Sequence, residues 1–298
     1  MRRQRAGIAV IVFILLLIDL CVGAASTYCQ DRKHFLWRVQ SSTTTVYLLG
    51  SIHLLKKDVY PLDGVIENAF EKSAVLAVEA NINDINRINV QQLVASAFYP
   101  EGETLKSHVS KSTYDLVRNE AEQLGMLPEL VDRQKPWFLA LMMESLELMR
   151  SGYDPQFGID GYFLSRTREK KIVELESVDY QINLLSSFSD EEQELFLQYT
   201  LKDLRALERQ TNDLVAAWKS GDVRSMELIV TESLRGDGRF SLFYEKLLYG
   251  RNRNMASRVE GFLRAGGSYF VVVGAAHLIG ERGIVQILKG KGYSVEQL

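Results

Sequence analysis

Two phrases, one near each end of the chain, restrict its fold more than any other feature. VYLLGSIHLL (Val46–Leu55) and YFVVVGAAHLIG (Tyr269–Gly280) each run an apolar strand into Gly-x-x-His and then into further apolar residues. The chain has four histidines, and this one context takes two of them, His53 and His277. A strand that stops at glycine and passes into helical spacing is a unit of α/β sheets. Because the two units lie at the two ends, neither half can complete a sheet alone. The expectation is one α/β domain: a mixed sheet with flanking helices and a largely helical middle insertion forming a cap.

The intervening sequence fits that frame. HFLWRVQSSTTTVYLLG alternates apolar and polar residues around a Ser/Thr-rich break and predicts a hairpin whose second strand delivers Gly50 and His53. LDGVIENAFEKS has helical spacing, and VLAVEAN is a short strand. From Val90 to Ser151 the spacing is mostly helical, broken at Pro128 and Pro136, with one strongly apolar helix from Trp137 to Met149. GIDGYFLSRTREKK predicts a short helix leading into the strand IVELES. Ser189 and Glu192 stand at capping-box spacing before a long amphipathic helix to Lys219. A helix from Leu242 to Arg264 is expected to end at Gly266 and Gly267, before the second phrase and the strand-like YSVEQL.

With 298 residues, 46% of them apolar, the chain can bury a large core, so disorder is excluded. Its 35 basic and 38 acidic side chains leave a formal charge of −3, and no basic cluster points to nucleic acid. MRRQRAGIAVIVFILLLIDLCVGAAS has the charged, apolar and small-residue order of a secretory signal, read as residues 1–25 with cleavage near Ala24 to Ser26, ahead of a domain over 26–298. The alternative is a retained anchor that keeps the protein at a membrane. Neither Leu20 before Cys21 nor Tyr28 before Cys29 suits lipoprotein processing. After cleavage only Cys29 remains, which excludes a disulfide scaffold in an oxidising compartment. The expected location is the periplasm or the exterior.

Candidate site residues fall at strand ends, where the crevice of an α/β sheet lies. His53 follows VYLL, Glu79 closes VLAVE, Glu176 closes IVELE, and His277 follows YFVVV. Two imidazoles with one or two carboxylates form a mixed N and O ligand set suited to zinc, manganese, cobalt or iron. Glu174 shares a strand face with Glu176, which stands nearer the end. Asp160 in FGIDGYF caps the next helix by default, with a site role as the alternative. GRNRNMASRV sets Arg251, Asn254 and Arg258 along one flank of a stripe through Leu248, Met255, Val259 and Phe262. Arg251 and Asn254 are read as oxyanion-stabilising candidates. His34 and His108 are expected at the surface. No Gly-x-Ser-x-Gly elbow, His-Glu-x-x-His helix or phosphate-binding glycine loop is present.

In LLGSIHLL, VLAVEAN, GIDGYF, VELESVDYQ, GRNRNMA and VVVGAAH, in that order, the sequence resembles the TraB/GumN family, which takes in GumN-like, PrgY-like and TIKI-like proteins. The resemblance implies a fold related to erythromycin-esterase-like and ChaN-like proteins. For the TIKI branch it implies metal-dependent peptide cleavage with manganese or cobalt, zinc being the other candidate. The family's metal histidines and glutamate carry over as His53, His277 and Glu79. The expected function is an exported metal-dependent hydrolase acting on a peptide or protein substrate, with Glu79 or Glu176 as general base. The competing expectation is a non-catalytic protein that sequesters a signalling peptide or haem.

Overall fold

The protein is described by a computed structural model covering residues 33–84, 89–236 and 243–298. The expected signal segment and both cysteines lie outside the described residues. The chain forms an α/β fold around a six-stranded sheet: β1 (Leu36–Gln40), β2 (Thr44–Ser51), β3 (Val75–Val78), β4 (Lys171–Glu174), β5 (Gly267–Gly274) and β6 (Ser294–Gln297). The strand order is β4-β3-β5-β2-β1-β6. β4, β3, β5 and β2 run parallel, whereas β1 is antiparallel to both β2 and β6. The hairpin expected at the start is β1 and β2, and YSVEQL closes the far edge as β6.

The β5 residues Val271, Val272 and Val273 are wholly buried, as a central parallel strand covered on both faces requires. Neighbouring residues of a strand point to opposite faces. Phe270 packs against Phe70 of α1 (Gly64–Glu71) and Phe163 of α7 (Ile159–Ser165). Tyr269, one residue earlier, stacks at 4.6 Å on Phe262 of α12 (Gly250–Ala265), so α12 covers the other face. Register then lines up the carboxyl ends: Ser51 pairs with Gly274, Val78 with Val272, and Val78 with Glu174. The residues just past these pairs are the ones at issue for function.

The middle of the chain is helical and has its own core. α2 (Val90–Ala97), α3 (Leu105–His108), α4 (Lys111–Gln123), α5 (Pro128–Arg133), α6 (Pro136–Arg150), α8 (Val178–Ser186) and α9 (Asp190–Asp203) contribute buried side chains such as Trp137, Leu139 and Phe196. α6 is the apolar helix expected from Trp137. The capping box of Ser189 and Glu192 is present, but the long helix expected to Lys219 is interrupted. A 3-10 turn at Leu204–Ala206 separates α9 from α10 (Leu207–Ser220), which is followed by α11 (Val223–Gly236). The helix expected from Leu242, a residue outside those described, carries a π-helical turn at Glu245–Tyr249 before α12. After β5 come α13 (Ala275–Leu278) and α14 (Ile284–Gly290).

His34 and His108 are not free surface residues. His34 is buried because the β1 and β6 ends close over it, its N–H donating to Leu298 O at 2.5 Å. The ring of His108 stacks at 4.2 Å on Tyr99, with Glu103 and Asp190 at its two nitrogens.

Candidate active site

His53 leaves β2 on a backbone held by α7. Ile159 N donates to Ile52 O at 3.1 Å, and a Cβ on Gly158 would stand 2.1 Å from His53 O, so glycine alone permits this contact. Two residues further on, Asp160 Oδ2 accepts from His53 Nδ1 at 2.7 Å. Gly158 occupies the N-cap position of α7, which frees the Asp160 carboxylate from the capping duty expected of it. The motif GIDG therefore orients a histidine. Burial would lower the His53 pKa, but Asp160, by charge and hydrogen bond, and Glu79 raise it to about 9.

His277 is oriented from the opposite face. Asn252 in α12 donates its Nδ2 to Arg282 O at 2.9 Å, which turns Oδ1 toward His277 Nδ1 at 2.6 Å. An amide oxygen only accepts, so Nδ1 carries the proton and Nε2 of the neutral ring presents a lone pair. Burial, with Arg251 and His53 nearby, holds the His277 pKa down at about 3 against the pull of Glu79. Asn252 was missed in the sequence. Asn254, expected here, is exposed on the outward side of α12, because the buried arc runs through Arg251, Asn252, Met255 and Val259.

Arg251 is fully buried and bridges two strand ends. Its Nη2 donates to Glu79 Oε2 and to Glu176 Oε2, each at 2.7 Å, its Nε to Glu176 Oε1 at 2.9 Å, and its Nη1 to Leu247 O at 3.0 Å. Gln181, also unanticipated, donates to Glu79 and Glu176 at 3.1 and 3.0 Å. An arginine so committed holds carboxylates. Glu176 lies behind Arg251, with both oxygens engaged. Glu174 accepts from Asn81 N at 2.8 Å, and Arg258 donates to the carbonyls of Glu174 and Leu175.

Glu79 faces the imidazoles. Its Oε1 accepts from Gly274 N at 2.5 Å and lies 3.6 Å from His277 Nε2. A Cβ at Gly274 would meet Glu79 Oε1 at 3.2 Å, the His277 ring at 3.4 Å and His53 Nε2 at 3.9 Å, so all three groups surround the space this glycine leaves open. Burial opposes the charge of Glu79, but His277, Arg251, His53 and the Gly274 N–H hold its pKa down at about 2. The carboxyl groups of Glu79, Asp160 and Glu176 formally outnumber the two cations among them, the Arg251 guanidinium and the His53 imidazolium, an imbalance that favours a further cation.

Ligand atoms about 2.1 Å from a tetrahedral ion lie about 3.4 Å from each other. The Glu79 and His277 pair is close to that spacing, and each histidine has the Nδ1 partner that metal-bound imidazoles require. Donor chemistry and charge thus fit a divalent metal. Among the described residues, though, no three His, Cys, Asp or Glu side chains are drawn together to ligand separations.

Above the rim is a cavity of about 60 Å³ lined by His53, Glu79, Gly274 and His277 on the sheet side and by α6, α10 and α11 on the other. The cap contributes Glu144, buried and raised by burial to about 8. The sequence holds a signal for it: a lone acid at helical spacing from Ala140, Leu141 and Leu148 on an apolar face.

A family model described as TraB/PrgY/gumN matches residues 35–297. The chain is 24% identical over 279 residues to YbaP of Escherichia coli (strain K12), covering 91% of this chain and all of YbaP. It is 24% identical over 322 residues to metalloprotease TIKI2 of Danio rerio, covering 90% of this chain and 61% of TIKI2. It is 22% identical to the metalloprotease TIKI homolog of Amphimedon queenslandica, covering 98% of this chain and 67% of that protein. No solved structure matches the chain.

Proposed function

Because this chain belongs to the TraB/PrgY/gumN family, and because its two Gly-x-x-His histidines meet a buried glutamate at one sheet rim, we propose that it is an exported metal-dependent hydrolase of peptides. The observation that carries this reading is the convergence of Glu79 Oε1, His277 and His53 Nε2 on the space at Gly274. Relatives named metalloproteases match about nine-tenths of the chain, which supports the same reaction class.

A divalent ion, manganese or cobalt before zinc, would be held by Nε2 of His53 and His277 beside Glu79, and would supply Lewis acidity toward a scissile carbonyl and its attacking water. The chain's own residues do the remaining work. Asp160 and Asn252 fix the two rings in orientation, and Asn252 keeps the His277 proton on Nδ1. Glu79 Oε1 is the carboxylate oxygen that would take a proton from an attacking water, since Arg251 engages both oxygens of Glu176 but only Oε2 of Glu79. Arg251 and Gln181 hold Glu79 from behind so that Oε1, not Oε2, faces the rim. Apolar side chains of the cap exclude bulk water.

The test is peptide-library cleavage by chelator-treated protein with manganese or cobalt restored. Cleavage should vanish on chelation and return with metal; turnover indifferent to chelator removes the metal from the reading. Export rests on the N-terminal sequence, and cell fractionation tests it. Among the described residues no helix is long and apolar enough to cross a membrane. For the competing expectation of haem capture, the cavity of about 60 Å³ is far below the roughly 300 Å³ or more of sites for larger ligands.

A further inference from the structure

The cap gives this cavity one ionisable group that the reaction above does not use. Glu144 is 3% exposed, and its Oε2 meets no hydrogen-bond partner among the described residues. Among the described residues burial is the only influence acting on its acidity, and none forms an ion pair with it. A carboxyl withdrawn from water without a partner is destabilising as it stands, and a ligand that pairs with it removes that deficit. Around it the cavity is apolar, with Leu54, Leu148, Leu207, Leu214, Met226 and Val230 in its wall. Its volume of about 60 Å³ is several times the roughly 15 Å³ that a single water needs, enough for a short unbranched chain. An acidic ligand would meet the charged Glu79 carboxylate in the same wall, and an uncharged alkyl group would leave the Glu144 carboxyl unpaired. An alkyl stem ending in an ammonium satisfies both the wall and the acid.

We propose that this cavity is a specificity pocket for a lysine side chain beside the scissile bond, with Glu144 as the carboxylate that pairs with its ammonium. The pocket shares its walls with His53, Glu79 and His277, so a side chain held there brings its own backbone to the rim. On binding, Glu144 releases its proton to solvent and forms the ion pair; no bond of the substrate changes in that step. This assignment rests on the hydrolase reading for the position of the bond, whereas the pocket itself can be tested without turnover.

Two peptide series decide it, one with lysine scanned through the positions flanking the cleaved bond, the other with norleucine, which keeps the stem and drops the charge. At one position kcat/KM for lysine should exceed that for norleucine by about tenfold or more, and Glu144→Gln should collapse the ratio to about one. Glu144→Asp, which keeps the charge, should retain part of it. Norleucine equal to lysine at every position in the unaltered protein overturns the proposal, as does a Glu144→Gln variant that keeps the ratio. Equal slowing of both series by Glu144→Gln also overturns it, because that places Glu144 in the chemistry. If no peptide is cleaved, the hydrolase reading fails separately, and calorimetry with n-butylammonium still tests the pocket. Binding that n-butanol does not reproduce and that Glu144→Gln abolishes supports the pocket; no binding to the folded, unaltered protein overturns it.

Discussion

Asn252 decides which nitrogen of His277 carries the proton, and Asp160 holds the Nδ1 proton of His53. Replacing Asn252 by leucine leaves Nδ1–H without its acceptor and releases the ring. Manganese affinity, read by titration of the chelated protein, should fall about 10- to 100-fold, while Asn252→Asp, which keeps an acceptor oxygen, should lose less. Glu144 allows a prediction in the direction of greater stability. Its pKa is raised from 4.5 to about 8, so the folded protein binds this proton more tightly than the unfolded chain does. Stability therefore falls as pH climbs across that interval. Glu144→Gln removes the penalty and should be more stable by on the order of 2–3 kcal/mol at neutral pH, with a gap that widens until about pH 8. Thermal melts of both proteins across this range read the effect; a gap independent of pH would assign the gain to packing instead of ionisation.

The elements show where sequence pattern carried information and where it did not. The ends of β2 and β5 were legible because an apolar, β-branched run that stops at glycine leaves few alternatives, and His53 and His277 follow at fixed distance. Helix α12 was legible as a helix but not in phase. The stripe through Met255 and Val259 has two flanks, each carrying an asparagine, and only tertiary contact decides that the Asn252 flank meets the rim while Asn254 faces water. Burial of Arg251 was equally unreadable, since a long cation at a stripe's edge snorkels by default. Its two acidic partners come from strands far away in the chain, at 172 and 75 residues' separation. Glu144 stood out as a lone acid on an apolar face, but its place at a cavity was not readable, because an apolar helix such as α6 reads as core whether or not it lines one. The strength of the α12 connection follows from its geometry. Arg251→Ala would leave Glu79 and Glu176 buried against each other without a counter-charge, and denaturant unfolding should show a loss of about 3–5 kcal/mol. Arg251→Lys should recover only part of it, because an ammonium cannot reproduce the forked contacts.

At the scale of the molecule, the sheet and the cap are separate cores that meet at the site, so its buried ionisable groups set the pH response of the whole fold. Five of them carry resolved shifts: Arg251 is raised and stays charged throughout, and the other four have signs that oppose one another. Glu79, lowered from 4.5 to about 2, contributes stability above the ordinary carboxyl range that is lost as pH falls toward 2. His277, lowered from 6.5 to about 3, stays neutral where the unfolded ring protonates, so it too withdraws stability as pH falls from 6.5 to about 3. His53, raised from 6.5 to about 9, contributes stability that is complete below 6.5 and lost as pH rises through 9. Glu144 withdraws stability between 4.5 and about 8. Between 4.5 and 6.5 the falling contribution of Glu144 offsets the rising one of His277, and on either side the remaining groups act in one direction. The metal-free protein should therefore show a flat stability maximum from about pH 4.5 to 6.5, with a decline toward both acid and alkali. Chemical denaturation at a series of pH values measures this profile. His53→Asn should remove the alkaline decline that persists beyond about pH 8, after the Glu144 contribution has ended. A profile of the unaltered protein that keeps rising from pH 6.5 to 9 would show that Asp160 does not hold a proton on His53, and with it would go the orientation assigned to that ring.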